Sequence, residues 1–198
     1  MSFYSGTVTE LLYSLPTPVT RNTFTANQIV TAGGTGVTPT TVPRAIVPAN
    51  FFGASPNGQG RCLRLHMAGT MGNTAAATFQ ITLLWNPTPG TIGTTLATPW
   101  PTLAPSAAAV VWDLDVWITA TQAAAGSTGL TLQCNGKWEQ SVGATGVLST
   151  ANQQVMFSTS TASLNAEAQA EIALAAVCSA SSASNQLVVQ QFQLFGCN

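Results

Sequence analysis

Trp112-Asp113-Leu114-Asp115-Val116-Trp117-Ile118 decides how this chain is read. Successive side chains of an extended strand point to opposite faces. Trp112, Leu114, Val116 and Ile118 then share one face, which suits a core. Asp113, Asp115 and Trp117 share the other. The strongest predicted strand, residues 110–121, is built around this stretch. The same alternation recurs on both sides of it. In residues 61–68, Cys62, Arg64, His66 and Ala68 oppose Leu63, Leu65 and Met67. In residues 76–85, Ala77, Phe79, Ile81 and Leu83 fall together.

Further strands are expected at residues 42–47, 91–97, 130–138, 154–159 and 186–195. Residues 163–171 begin like a capped helix, and alanine favours helix. Beyond them Ile172, Leu174, Ala176 and Cys178 alternate with Ala173, Ala175 and Val177. We therefore expect a loop, with at most one helical turn, leading into a strand over 171–179. Seventeen glycines and eleven prolines punctuate the short apolar runs, which is the pattern of an all-β sandwich or barrel. About eight strands from residue 42 onward is the number of a single antiparallel jelly-roll β-sandwich.

Residues 1–40 differ from the rest. Weak strands at 7–14 and 20–30 are broken by Pro16 and Pro18, which fix φ and lack a donor. A glycine-rich stretch, 31–39, follows. The expected division is an N-terminal extended arm over 1–40 and the sandwich domain over 41–198. Such an arm packs on a neighbour or wraps its own domain; an ordinary first strand pair of the sandwich is the competing reading.

Composition excludes several functions. Only 6% of residues are charged and the net charge is −1, against about 25% charged in ordinary globular chains. Five basic residues cannot supply the phosphate contacts on which nucleic-acid affinity rests. No apolar run approaches the roughly 20 residues of a membrane span. The first residues, Met-Ser-Phe-Tyr-Ser, lack the basic start and apolar run of a secretion signal. Area scaling lets about 70% of the unfolded surface be buried, so neither metal nor disulfide is needed for folding. A surface with so little charge gives little protection against self-association, and so suits a protein held by its neighbours.

Few residues suggest chemistry. Asp113 and Asp115 would lie about 7 Å apart on one strand face. That spacing could furnish part of a Ca²⁺ site or an acid–base pair, but no third ligand or nearby histidine accompanies it in sequence. A charged outer face, with Trp117 at a protein contact, accounts for it better. His66, the single histidine, lies about 13 Å along its strand from Cys62, too far for a nucleophile–base pair. A hydrogen-bonded structural role is expected. Cys62, Cys134, Cys178 and Cys197 fit no metal spacing. Buried free thiols are the default, with a disulfide between adjacent strands open under oxidising conditions. Gly33-Gly34-Thr35-Gly36 has no following Lys-Ser/Thr and is no phosphate cradle. The five tryptophans, Trp85, Trp100, Trp112, Trp117 and Trp138, serve core and interface packing or line a sugar-binding face. No catalytic residue, metal or cofactor is expected.

From Ile46 onward the pattern resembles a known group. Ile46-Val47-Pro48-Ala49-Asn50-Phe51-Phe52 leads into Gly60-Arg61-Cys62-Leu63-Arg64-Leu65, then Gly69, Thr78-Phe79-Gln80-Ile81 and the strand around Trp112. Asn185-Gln186-Leu187-Val188-Val189-Gln190-Gln191-Phe192-Gln193-Leu194-Phe195-Gly196 closes it. These stretches resemble jelly-roll structural proteins of tailed bacteriophages, among them head decoration (cement) proteins and minor tail components. The resemblance implies a homotrimer on the virion surface, assembled in the host cytoplasm and bound to the major capsid protein or other virion proteins. The expected function is non-enzymatic capsid decoration; the alternative is a tail-associated glycan-binding module. Expected contact residues are Phe3, Tyr4, Leu11, Leu12 and Tyr13 of the arm, with Trp117 of the sheet.

Overall fold

The structure is a computed structural model. It describes residues 9–22, 28–29, 44–52, 61–72, 79–86, 94–96, 110–122, 129–141, 148–159, 164–179, 182 and 184–197. Among them the strands are β1 (Thr9–Ser14), β2 (Val19–Asn22), β3 (Gln28–Ile29), β4 (Ala45–Val47), β5 (Cys62–Gly72), β6 (Phe79–Trp85), β7 (Thr94–Thr95), β8 (Val110–Gln122), β9 (Thr131–Ser141), β10 (Leu148–Thr159), β11 (Ala170–Cys178) and β12 (Gln186–Cys197). No helix occurs among the described residues.

The strands form two antiparallel sheets. The large sheet runs β1-β12-β5-β8-β9-β10, with β2 also on β12. The small sheet runs β3-β11-β6-β7, with β4 also on β11. Two nested pairs, β5 with β12 and β6 with β11, join the middle of the chain to its end. Between them β8, β9 and β10 follow one another as a meander in the large sheet. The fold is an all-β sandwich.

Alternation builds the core between the sheets. Leu63, Leu65 and Met67 of β5, and Trp112, Leu114, Val116 and Ile118 of β8, are fully buried. From the small sheet Phe79, Ile81, Leu83, Ile172 and Leu174 meet them in one cluster. Trp112 and Trp138, on neighbouring strands, stack with ring centroids 4.9 Å apart and planes within 9°. Gly69 is needed in this wall, because a Cβ there would sit 1.9 Å from the Val188 carbonyl oxygen. Val188 lies beside the register shift of β12 between Val189 and Gln191, and the closer backbone approach leaves no room for a side chain.

The ambiguous segment resolves as a loop. Asn165 Oδ1 accepts the backbone N–H groups of Glu167 (2.8 Å) and Ala168 (3.2 Å). This side-chain-to-backbone turn competes with helix, and β11 starts at Ala170. Pro48 to Phe52 form a turn: the Phe51 N–H reaches the Pro48 carbonyl at 3.2 Å, Asn50 takes the left-handed φ of 60°, and both phenylalanines are buried.

The N-terminal segment is paired within its own chain. β1 lies along Gln193–Cys197 and β2 along Gln186–Val189, so both edge the large sheet on β12. The proline break between them is bridged by the Leu15 N–H, which donates to the Phe192 carbonyl at 2.8 Å. Thus residues 9–22 belong to the sandwich edge. Residues 31–39 lie outside the described residues.

Candidate binding face

The outer face of the large sheet gathers half of the chain's charged and histidine side chains. Arg64 and His66 point outward from β5, Asp113, Asp115 and Trp117 from β8, and Asn135, Lys137 and Glu139 from β9. Register aligns them in rows: Arg64 opposite Trp117 and Asn135, His66 opposite Asp115 and Lys137, Ala68 opposite Asp113 and Glu139. Five of the eleven charged residues and the single histidine of the sequence therefore share one patch on three central strands.

Their partners lie on the diagonals. The Arg64 guanidinium grips Asp115 through two hydrogen bonds, Nε to Oδ1 at 3.0 Å and Nη2 to Oδ2 at 2.8 Å. His66 Nε2 and Asp113 Oδ2 are 2.8 Å apart. Diagonal residues of neighbouring strands are about 7–8 Å apart at the backbone, a gap that long side chains close. Arg64 also lies over the Trp117 ring, 5.4 Å from its centroid, within the range of a cation–π contact. Lys137 and Glu139 pair along β9. On β12, Gln191 Nε2 donates to Gln193 Oε1 at 3.0 Å, beside His66 in register.

Electrostatics follow from these contacts. The hydrogen bond to Asp113 raises the His66 pKa above its ordinary value; burial opposes this, and the charges of Asp113 and Asp115 reinforce it. Arg64 is held more firmly protonated, chiefly by its hydrogen bond to Asp115. Each carboxylate weighed above as a cation ligand is thus paired with a cationic or imidazole side chain. Among the described residues no group of three or more His, Cys, Asp or Glu side chains could hold a metal ion.

Trp117 is the exposed aromatic of the patch, at 44%. Trp85, Trp112 and Trp138 are core residues, and Trp100 lies outside the described residues. Leu11 is exposed at 53% and sits in the Trp117 row at the β1 edge, opposite Phe195. Leu12 is half-buried against the core. Tyr13 corrects an expectation: predicted at a contact with a neighbour, it is 8% exposed, with its ring edge-on to Phe192 at 5.0 Å. The register shift between Leu11 and Tyr13 turns the tyrosine inward, and burial, helped by the charge of Glu171, pushes its hydroxyl up to about 12. Phe3 and Tyr4 lie outside the described residues.

The sequence separately showed Arg64 with His66 and Asp113 with Asp115. It did not show that the two pairs face each other. Lys137 and Glu139 escaped notice, although the alternation Lys137-Trp138-Glu139 could have placed them outward. A separate hollow of about 210 Å³, lined by Glu10, Leu12, Phe51 and Arg61 among others, has its cation tied to the Phe51 carbonyl at 3.3 Å and to the Phe51 ring.

No family model matches this sequence, and no curated protein matches it. Among solved structures, one titled as the CBM2 module of the evolved Dit of Lactobacillus casei BL23 phage J-1 aligns over 97% of each chain, at 11% identity and a TM-score of 0.32. A likeness that loose carries no argument about fold or function.

Proposed function

We propose that the chain is a non-catalytic binding module of a tailed-phage virion that holds a glycan on the outer face of its large sheet. The observation that carries this reading is the half-exposed Trp117 indole, set among polar side chains already locked in ion pairs. A pyranose ring has an apolar C–H face that can stack on an indole. Its hydroxyls fit the lone pairs and N–H groups of Arg64, Asp115 and Asn135 beside that ring. Because Arg64 and Asp115 hold each other in place, little ordering entropy is lost when a sugar arrives. The virion setting is supported by the sequence resemblance and the scarcity of charge.

A glycan array followed by tryptophan fluorescence titration tests it. The expected result is a saturable signal that Trp117→Ala weakens about tenfold or more, with the unfolding midpoint shifted by no more than about 3 °C. An array without hits, together with unchanged fluorescence, would sink the glycan reading.

Capsid decoration is the second reading, favoured by the β10 flank of the same face. Val155 on β10 is 75% exposed, and β10 ends the large sheet among the described residues. A neighbouring chain could add a strand there and cover Val155. A native mass of three chains, with binding to emptied phage heads, would support it; a monomer that ignores heads would remove it.

A further inference from the structure

We propose that Cys62 and Cys197 are a disulfide-forming pair that staples the first long strand of the large sheet to the last when the chain meets a low-molecular-weight disulfide. Cys62 opens β5 and Cys197 closes β12, and they stand directly opposite each other in the antiparallel register. Opposed residues of such a ladder have Cα atoms about 4.5–5.5 Å apart, inside the range of about 4.4–6.8 Å that disulfides span. Opposed side chains also leave the sheet on the same face, and these two thiols are close enough to hydrogen-bond each other. The other two cysteines have no such partner in register: Cys134 faces Ile118 and Ser158, and Cys178 faces Phe79.

The chemistry balances with a glutathione-type disulfide as oxidant. Cys62, the more accessible thiol, loses its proton and attacks one sulfur of the oxidant. A mixed disulfide forms and one small thiolate leaves. Cys197 then loses its proton and attacks the Cys62 sulfur, expelling the second small thiolate. Two protein thiols are oxidised by two electrons and the oxidant is reduced to two thiols. The Cys62 thiol is pushed up to about 11, by burial first and by Cys197 second. The first step is therefore slow at neutral pH and speeds up about tenfold per pH unit below that value. Closure links strands with most of the sandwich between them in sequence, which restricts the unfolded chain. This inference stands apart from the glycan reading, since it uses none of the residues of that site.

The test uses the full chain, purified reduced and then incubated with glutathione disulfide at pH 8.5. Expected are a mass loss of about 2 Da, a non-reduced peptide joining Cys62 to Cys197, and an unfolding midpoint raised by about 10 °C. Cys62→Ser, a change at a half-buried strand end, should remove both cross-link and shift. Four free thiols after oxidation, a lasting mixed disulfide at Cys62, or a cross-link through Cys134 or Cys178 would each overturn the proposal.

Discussion

The two sheets treat their outer faces in opposite ways. On the large sheet, β5 alternates strictly between buried and half-exposed residues along its whole length, and its outer side carries Arg64 and His66. On the small sheet, β11 is buried at every position but Val177. Ile172, Leu174, Ala176 and Cys178 belong to the main core, while Ala173 and Ala175 join Leu84 in a second buried cluster on the other side. Alternation marks a strand with one wet face, and a continuous apolar run marks one covered on both. The difference teaches where recognition can occur. A surface that binds must be open and chemically differentiated; the large sheet's face is both along its central strands, whereas the small sheet's outer face is closed around Ala173, Ala175 and Leu84.

The sharpest way to break this contrast is to place a cation on each outer face. Ala173→Lys puts an unpaired charge at a position with 0% exposure, and should cost about 4 kcal/mol or more, enough to lose the folded state of a marginal domain. Trp117→Lys, on the matching side of the large sheet, should change stability by about 1 kcal/mol at most. Circular dichroism melts of the two variants read the difference directly. Equal stability would mean that the small sheet's outer face is open in solution.

Smaller effects sharpen the picture of the patch itself. Asp115→Asn removes the charge that Arg64 grips and leaves at most one good acceptor for the guanidinium. A loss of about 0.5–1 kcal/mol is expected, since both side chains are partly exposed and screened by water. The same variant should lower glycan affinity more than it lowers stability, because it frees Arg64 to reorient over Trp117. A stability loss without any change in binding would detach the ion pair from the site.

The smallest effect depends on pH. Bonding to Asp113 raises the folded-state pKa of His66 above the unfolded value of about 6.5. The protonated ring is then favoured by folding. Its contribution is fully present below about pH 6.5 and is lost as pH rises through the folded value. Asp113→Asn should therefore lower the midpoint by about 3 °C at pH 5.5 and by less at pH 9. A deficit that grew with pH would show that the imidazole is neutral in the fold.

Much of this was legible in the residues themselves. The inward sets on β5, β6 and β8 follow from alternation alone, and so does the outward placing of Asp113, Asp115 and Trp117. The loop before β11 was harder, because Asn165 decides it by a local turn while the alanines around it favour helix. Tyr13 was misread because a register shift reverses which side a residue faces, and nothing in Leu11-Leu12-Tyr13 announces one. The candidate face was half visible: its residues could be assigned to outer surfaces, but not to each other.

By itself, the sequence determined that the chain is all-β, that its surface is nearly uncharged, and which side of each long strand is apolar. These are local properties, set by the twofold period of an extended backbone. Only the tertiary structure decided that Arg64 meets Asp115, that His66 meets Asp113, and that Cys62 stands opposite Cys197. Those partners lie on strands far apart in the chain, and their meeting depends on register. Register is set by the packing of whole sheets and by their bulges, and a slip of one residue would turn every side chain of a strand to the other face.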